Sequence, residues 1–157
     1  MNYSFYDLKK QELYDVLTVK PNDITNIFTR SLASAGMATT NLATPNILPT
    51  GMHSFEVSSF RITVLGTRDL SRWDKLSSSR TMQIILANYE LPAVHLSEFM
   101  PHTLFPSAEL DLRPDRLITI PEFVGFQVKL IPDVSENIEP TRIRFAFYGT
   151  ARRKLIG

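Results

Sequence analysis

The chain has 157 residues, no cysteine, and a formal net charge of +1 from 17 basic and 16 acidic side chains. Without thiols it can form neither disulfides nor Cys-ligated zinc or iron–sulfur sites, and its near-neutral charge offers nucleic acid no basic field. A chain of this length predicts one folded domain, and the near-neutral charge predicts that nucleic acid is not a partner.

The N-terminal region has no pattern of a targeting or membrane segment. Charged side chains at positions 7, 9, 10, 12 and 15 interrupt any apolar run. A signal peptide needs an apolar stretch of roughly 7–15 residues, and a membrane-spanning helix needs about 20. We therefore expect synthesis in a cytoplasm without a signal peptide, and no membrane partner.

Residues 1–52 are predicted to form an N-terminal arm that could pack partly on the core. The segment Glu12–Val19 alternates as a strand would, although Ser4 could instead cap a helix through Val16. A separate short helix is predicted over residues 23–35, with Asp23 as its N-cap. Residues 31–54 carry no charge and are rich in Ser, Ala, Thr, Asn and Pro, which is typical of an arm or linker.

The pattern is clearer from Phe55 onwards. Phe55 and Val57 share one parity, whereas Phe60, Ile62 and Val64 share the other, which predicts a long strand with a bulge at Ser58–Ser59. One helical turn is predicted over Asp69–Leu76, with Trp73 facing inward. Strands are then predicted over 81–88, 117–120, 124–130 and 143–148.

These strands are separated by polar, Pro-rich connections, notably residues 89–116 with four prolines. Prolines remove donors from a β ladder, so we predict loops or edge strands there. Roughly six to eight strands without regular intervening helices predict an all-β fold, an antiparallel β-sandwich spanning residues 53–157. Few tight-turn signals favour Greek-key or jelly-roll connections over a simple meander.

No catalytic, cofactor or metal site is predicted. His95, Glu98 and His102 are close in sequence and His53 could complete a metal site with them, but Pro101 argues against a helix that would place the three on one face. No Gly-x-Ser-x-Gly elbow and no Gly-rich phosphate loop occurs. The sequence therefore favours a protein that is not an enzyme and needs no cofactor.

Two groups of side chains are candidates for contacts with a partner. Four phenylalanines lie in the arm or in Pro-rich loops, where they either fold back on the core or anchor in another protein: Phe5, Phe28, Phe99 and Phe105. Arg152, Arg153 and Lys154 form the one basic cluster, which is either a solvated tail or a contact for nucleic acid or an acidic partner surface.

Two segments resemble small jelly-roll virion proteins of bacteriophages. The first is Asn41-Leu42 followed by Ile47-Leu48-Pro49-Thr50-Gly51 and a strand that begins near Phe55. The second is the close of the chain, Ile143-Arg144-Phe145-Ala146-Phe147-Tyr148-Gly149, with Arg152 and Arg153 shortly after. The resemblance covers about residues 40–66, 80–90 and 117–153, and it consists of the types of residue and the order in which they occur.

The resemblance implies a capsid-associated cement (decoration) or minor capsid protein, located in the virion. Its partners would be the major capsid protein or other virion proteins, and it would be a homo-oligomer, with a trimer favoured. The interface residues expected on this basis are Phe5, Phe28, Leu42, Ile47, Leu48, Phe99, Phe105, Arg152 and Arg153.

Two other functions stay open at this stage. A carbohydrate-binding sandwich of a phage tail or host-recognition component would use Trp73, Tyr89 and the 89–116 loop. A metal-dependent jelly-roll enzyme would need His95 as a ligand.

Overall fold

The computed structural model describes residues 6–67, 70–103 and 108–154. Eleven strands and two α-helices are present in these ranges. The strands are β1 Tyr6–Val19, β2 Thr25–Ile27, β3 Met52–Val64, β4 Arg80–Leu86, β5 Tyr89–Glu90, β6 Val94–His95, β7 Met100–Thr103, β8 Ala108–Leu112, β9 Ile118–Pro121, β10 Phe126–Pro132 and β11 Thr141–Lys154. The helices are α1 Leu32–Ala35 and α2 Leu70–Ser79, and a 3₁₀ turn covers Leu96–Glu98.

The strands form two antiparallel sheets that pack face to face. The first sheet has the order β1-β11-β3-β8-β7, and β9 pairs with β3 next to β8. The second has the order β2-β10-β4-β5, with β6 also on β4. The antiparallel β-sandwich predicted from the sequence is confirmed.

The order of the strands in the two sheets is that of a jelly roll, with β1-β11-β3-β8 in one and β2-β10-β4-β5 in the other. β1, β3 and β11 lie in the first sheet, whereas β2, β4 and β10 lie in the second, and the first strand pairs with the last. Two interlocked Greek keys give this order. The predicted core phenylalanines are buried between the sheets: Phe55, Phe60, Phe126, Phe145 and Phe147.

The segment assigned to an N-terminal arm is integrated into the sandwich. β1 pairs with β11 over all of its 14 residues. The outer edge of β1 is covered by residues 39–41, since the Val16 amide donates to the Thr39 carbonyl at 2.7 Å and Asn41 bridges to the backbone of Glu12 and Tyr14. Residues 6–52 therefore belong to the same folded unit as the rest of the described chain.

The helix predicted over residues 23–35 does not form. That stretch contains β2 and only the four-residue helix α1, whose N-cap is Ser31. Thr25 and Ile27 have β-branched side chains that fit the pleated edge of the second sheet, and Phe28 has a φ of 62°, which ends any regular element. The helical turn predicted over 69–76 is longer than expected, and Asp69 lies outside the described residues.

The predicted β-bulge is present at Ser58. The pairing of β3 with β11 shifts between Tyr148 and Gly149, so that Ser58 has no opposite residue. Its hydroxyl donates to the Tyr148 carbonyl at 3.0 Å. The bulge turns Phe55 and Val57 towards the same core as Phe60 and Ile62, although their parities differ.

Gly149 lies opposite the bulge, and we expect Gly149→Ala to lower the free energy of unfolding by about 1–3 kcal/mol. A Cβ atom there would lie 1.8 Å from the carbonyl oxygen of Glu56, so the backbone would have to move. The matched control is Gly125→Ala, where the nearest atom is 4.0 Å away. Urea unfolding measures both, and equal effects would contradict the close approach at the bulge.

Candidate interaction surface

The outer face of the first sheet carries two arginines that are each fixed by a carboxylate and a tyrosine ring. Arg144 donates to both carboxylate oxygens of Glu12, at 2.5 and 3.1 Å, and its guanidinium lies 4.4 Å from the centre of the Tyr14 ring. Such bidentate, stacked arginines have few alternative positions. This part of the surface is therefore pre-organised.

The second arginine repeats this arrangement on the neighbouring strand, β3. Arg61 on β3 donates to both oxygens of Asp111 on β8, at 2.8 and 3.2 Å, and lies 5.3 Å from the Tyr148 ring. Its hydrogen bond to Asp111 raises the pKa of Arg61 and is opposed by partial burial. Each arginine thus has two of its donors fixed on a carboxylate.

A groove of about 560 Å³ lies beside the Arg144 pair, near the end of the sheet where β11 begins. We call it the Arg142 groove, and its lining residues are Glu12, Tyr14, Val16, Met37, Ala38, Leu65, Arg142 and Arg144. Met37 is 73% exposed at its rim, and the Tyr14 hydroxyl donates to the Met37 carbonyl. The groove therefore combines an apolar wall with guanidinium groups.

An exposed aromatic tip lies at the opposite end of the sandwich. The turn between β9 and β10 contains Glu122 and Phe123, which we call the β9–β10 tip. Phe123 is 80% exposed and has a φ of 63°. The Val124 amide is 3.5 Å from the Pro121 carbonyl, so Phe123 is the third residue of a turn, where glycine or asparagine is usual. A bulky residue in this conformation is strained, and no burial offsets the strain here.

Four of the nine predicted interface residues lie in the chain's own core. Phe28 and Leu42 are completely buried, and Leu48 and Phe99 are 5% and 3% exposed. Their side chains follow the fold-back alternative and belong to the hydrophobic core between the sheets. In this conformation they offer no surface to a partner.

The remaining predicted interface residues are more accessible or lie outside the described ranges. Ile47 and Arg153 are half-buried, and Arg152 is exposed. Arg153 donates to the side chain of Gln11 at 2.7 Å. Phe5 and Phe105 lie outside the described residues.

The side chains considered for a sugar site are separated. Trp73 on α2 is 4% exposed, and its ring lies edge-on to Phe99 at 5.9 Å. Tyr89 follows the turn after β4 and is 68% exposed. Trp73 therefore helps to attach α2 to the sandwich, and Tyr89 alone of the two offers an aromatic platform.

The histidines considered for a metal site are directed at other groups. His95 contacts Ser97 through Nδ1 at 2.7 Å and Asp133 through Nε2 at 3.3 Å. His53 lies 3.8 Å from Glu122. Within residues 6–67, 70–103 and 108–154, no group of three metal-ligating side chains comes together.

A buried ion pair that the sequence did not predict joins the start of β4, the β1–β2 connection and the β10–β11 connection. Arg80 and Glu136 are fully buried and 2.7 Å apart. Burial raises the pKa of Glu136, but hydrogen bonds from Arg80, Ser79 and Asn22 outweigh it and leave the pKa below the usual value. The pair ties the start of β4 to residues 20–25 and 133–140.

A second buried carboxylate, Asp15, has its pKa shifted in the opposite direction from that of Glu136. It is 1% exposed, accepts the Phe28 amide at 2.9 Å, and pairs with Arg30 at 3.2 Å. Burial raises its pKa above the usual value, and these two partners offset the rise only in part. Asp15 also lines a polar groove of about 560 Å³ between β1 and β2.

We expect Asp15→Asn to remove a pH dependence of stability. Because the pKa of Asp15 is raised by folding, the wild type should lose stability as pH rises from the unfolded value of 3.8 through the folded pKa. The difference in unfolding free energy between wild type and variant, measured in urea from about pH 3 to about pH 7, should fall over that window. A difference in unfolding free energy that does not change with pH would contradict the raised pKa of a buried Asp15. Asp23→Asn, in the same groove, is the control for the loss of one carboxylate.

Comparisons of the chain with protein-family models and with curated proteins find no match. No helix in the described part of the chain is long and apolar enough to cross a membrane.

Proposed function

We propose that this chain is a structural protein of a virion, a capsid-associated cement (decoration) or minor capsid protein that acts through its contacts. The observation that carries the proposal is the set of large apolar side chains exposed at both ends of the β-sandwich. Tyr89 and Phe123 lie at one end, and Ile24 and Val134 lie at the other. Exposed apolar groups on rigid supports are typical anchors for protein partners.

The pre-organised outer face of the first sheet supports the same role. Arg61 and Arg144 are held in fixed positions by carboxylates and tyrosines, so little side-chain entropy would be lost when a flat partner docks there. The residue types of segments 40–66 and 143–153, and their order, resemble those of virion jelly rolls. A weak contact of this kind becomes tight when many copies bind one lattice.

Sedimentation with assembled shells tests the proposal. The purified chain is mixed with assembled shells of a coat protein from the genome that encodes the chain, and the pellet is analysed for stoichiometric binding. We expect co-sedimentation and a higher temperature of shell disruption. Shells that neither retain the chain nor gain heat resistance would contradict the capsid role, and heat-unfolded protein serves as the control for trapping.

Carbohydrate binding is a second candidate because Tyr89 is a solvent-facing aromatic ring on a short hairpin. A glycan array is the measurement, and we expect a specific signal to disappear in Tyr89→Ala but to persist in Met100→Ala. Met100 is equally exposed, on the edge strand β7. An array without any specific signal would remove this candidate.

A further inference from the structure

The β9–β10 tip and the Arg142 groove have complementary chemistry at opposite ends of the molecule. We propose that the chain associates with itself head to tail, with Phe123 and Glu122 of one copy entering the Arg142 groove of the next. This inference deepens the proposed contact role by naming a partner surface, a second copy of this chain. It concerns the purified chain alone, so its failure and a failure to bind shells are separate results.

The charges of the groove favour an acidic tip. Glu12 and Arg144 neutralise each other through two hydrogen bonds. Arg142 is exposed, and among the described residues it makes no ion pair, so the groove has one guanidinium in excess. The tip supplies a carboxylate, Glu122, which is 30% exposed and has His53 at 3.8 Å. An arginine fork and a carboxylate form strong paired hydrogen bonds once water is excluded.

The apolar parts of the two surfaces also match. Phe123 is 80% exposed, while Met37, Val16 and Leu65 are among the residues that line the groove. A groove of about 560 Å³ is large enough for one aromatic ring. The flexible thioether of Met37 suits contact with an aromatic ring. Burial in a neighbouring copy would also explain why a strained turn position holds phenylalanine rather than glycine or asparagine.

The positions of the two surfaces require a head-to-tail contact between copies. Arg142 is near the start of β11, and Pro121 at the base of the tip is level with Arg152 near the end of that strand. Ten residues of strand span about 33 Å, so a tip cannot reach its own groove. A contact between different surfaces closes into a ring or continues as a filament. One tip buries far less than a standard interface, so association should be weak.

Sedimentation velocity over rising protein concentration tests the contact. We expect wild type to associate at high micromolar concentrations, and Phe123→Asn and Arg142→Glu each to weaken association on the order of tenfold or more. Asparagine suits the positive φ at position 123, so the fold should persist. The matched control is Arg116→Glu, the same change of charge at an exposed loop residue, which should associate as wild type does.

Mixing the two variants decides the geometry. Phe123→Asn keeps an intact groove and Arg142→Glu keeps an intact tip, so an equimolar mixture should form heterodimers that grow no further. In addition, a chain that carries both Glu122→Arg and Arg142→Glu should regain association. A wild type that stays monomeric, a mixture that forms no heterodimer, or a charge exchange that restores nothing would each overturn the proposal.

Discussion

Replacing Glu136 with glutamine is expected to lower the free energy of unfolding by about 3–5 kcal/mol, because it leaves a buried guanidinium without a counter-charge. All five donors of Arg80 are used inside the protein. Two contact Glu136, at 2.7 and 3.0 Å, and the others reach Thr25 and the carbonyls of Leu130 and Lys20. Glutamine would keep the shape of the side chain but not its charge. Urea unfolding at neutral pH measures the loss.

A matched control exists at the surface nearby. Glu139→Gln breaks the pair between Glu139 and Arg72, whose side chains are 77% and 43% exposed, and should cost less than about 1 kcal/mol. Since the pKa of Glu136 is lowered by folding, the wild type should also lose stability as pH falls from 4.5 through the folded pKa, and Glu136→Gln should lack this loss. Equal costs for Glu136→Gln and Glu139→Gln would contradict the buried pair.

Replacing Phe28 with alanine is the second large effect, with an expected loss of about 3–5 kcal/mol. The ring is completely buried and lies 5.2 to 5.9 Å from the rings of Phe126, Phe145 and Phe147. Its removal leaves a cavity where both sheets meet. Against a total stability of about 5–15 kcal/mol, this loss should leave a marginal fold.

Phe123→Ala is a closely matched control for this experiment. Phe28 and Phe123 both have a positive φ, 62° and 63°, but the second ring is 80% exposed. We expect the control to change the unfolding free energy by less than about 0.5 kcal/mol at protein concentrations too low for association. Similar losses in the two variants would contradict the core position of Phe28.

The sequence predicted the sandwich because its central strands alternate clearly. Phe55 to Val64 even predicted the bulge at Ser58, since the inward parity changes within one apolar run. The strand order could not be derived, because period-two alternation says which face is buried and not which strand is the neighbour. The pairing of β1 with β11 depends on contacts between distant residues that no local pattern encodes.

The predicted interface was harder to assign for a related reason. Phe28, Leu42, Leu48 and Phe99 lie in segments with loop composition, and composition does not show whether a loop folds onto its own core. Phe123 was passed over because it is next to Val124 in a strand pattern, although a phenylalanine two residues after a proline and two before a glycine is a possible turn signal. Arg80 and Glu136 are 56 residues apart, so no sequence spacing connects them.

The pairing of β1 with β11 has a consequence for synthesis. Each residue of β1 meets a partner about 120 or more positions further along the chain. Until the ribosome has made β11, β1 lacks the strand it pairs with and the first sheet is incomplete. Folds with such distant pairings form slowly, in milliseconds to seconds, and expose strand edges in the meantime. The exposed charges of Lys9 and Lys10 on β1 oppose pairing of this unpaired strand with other nascent chains.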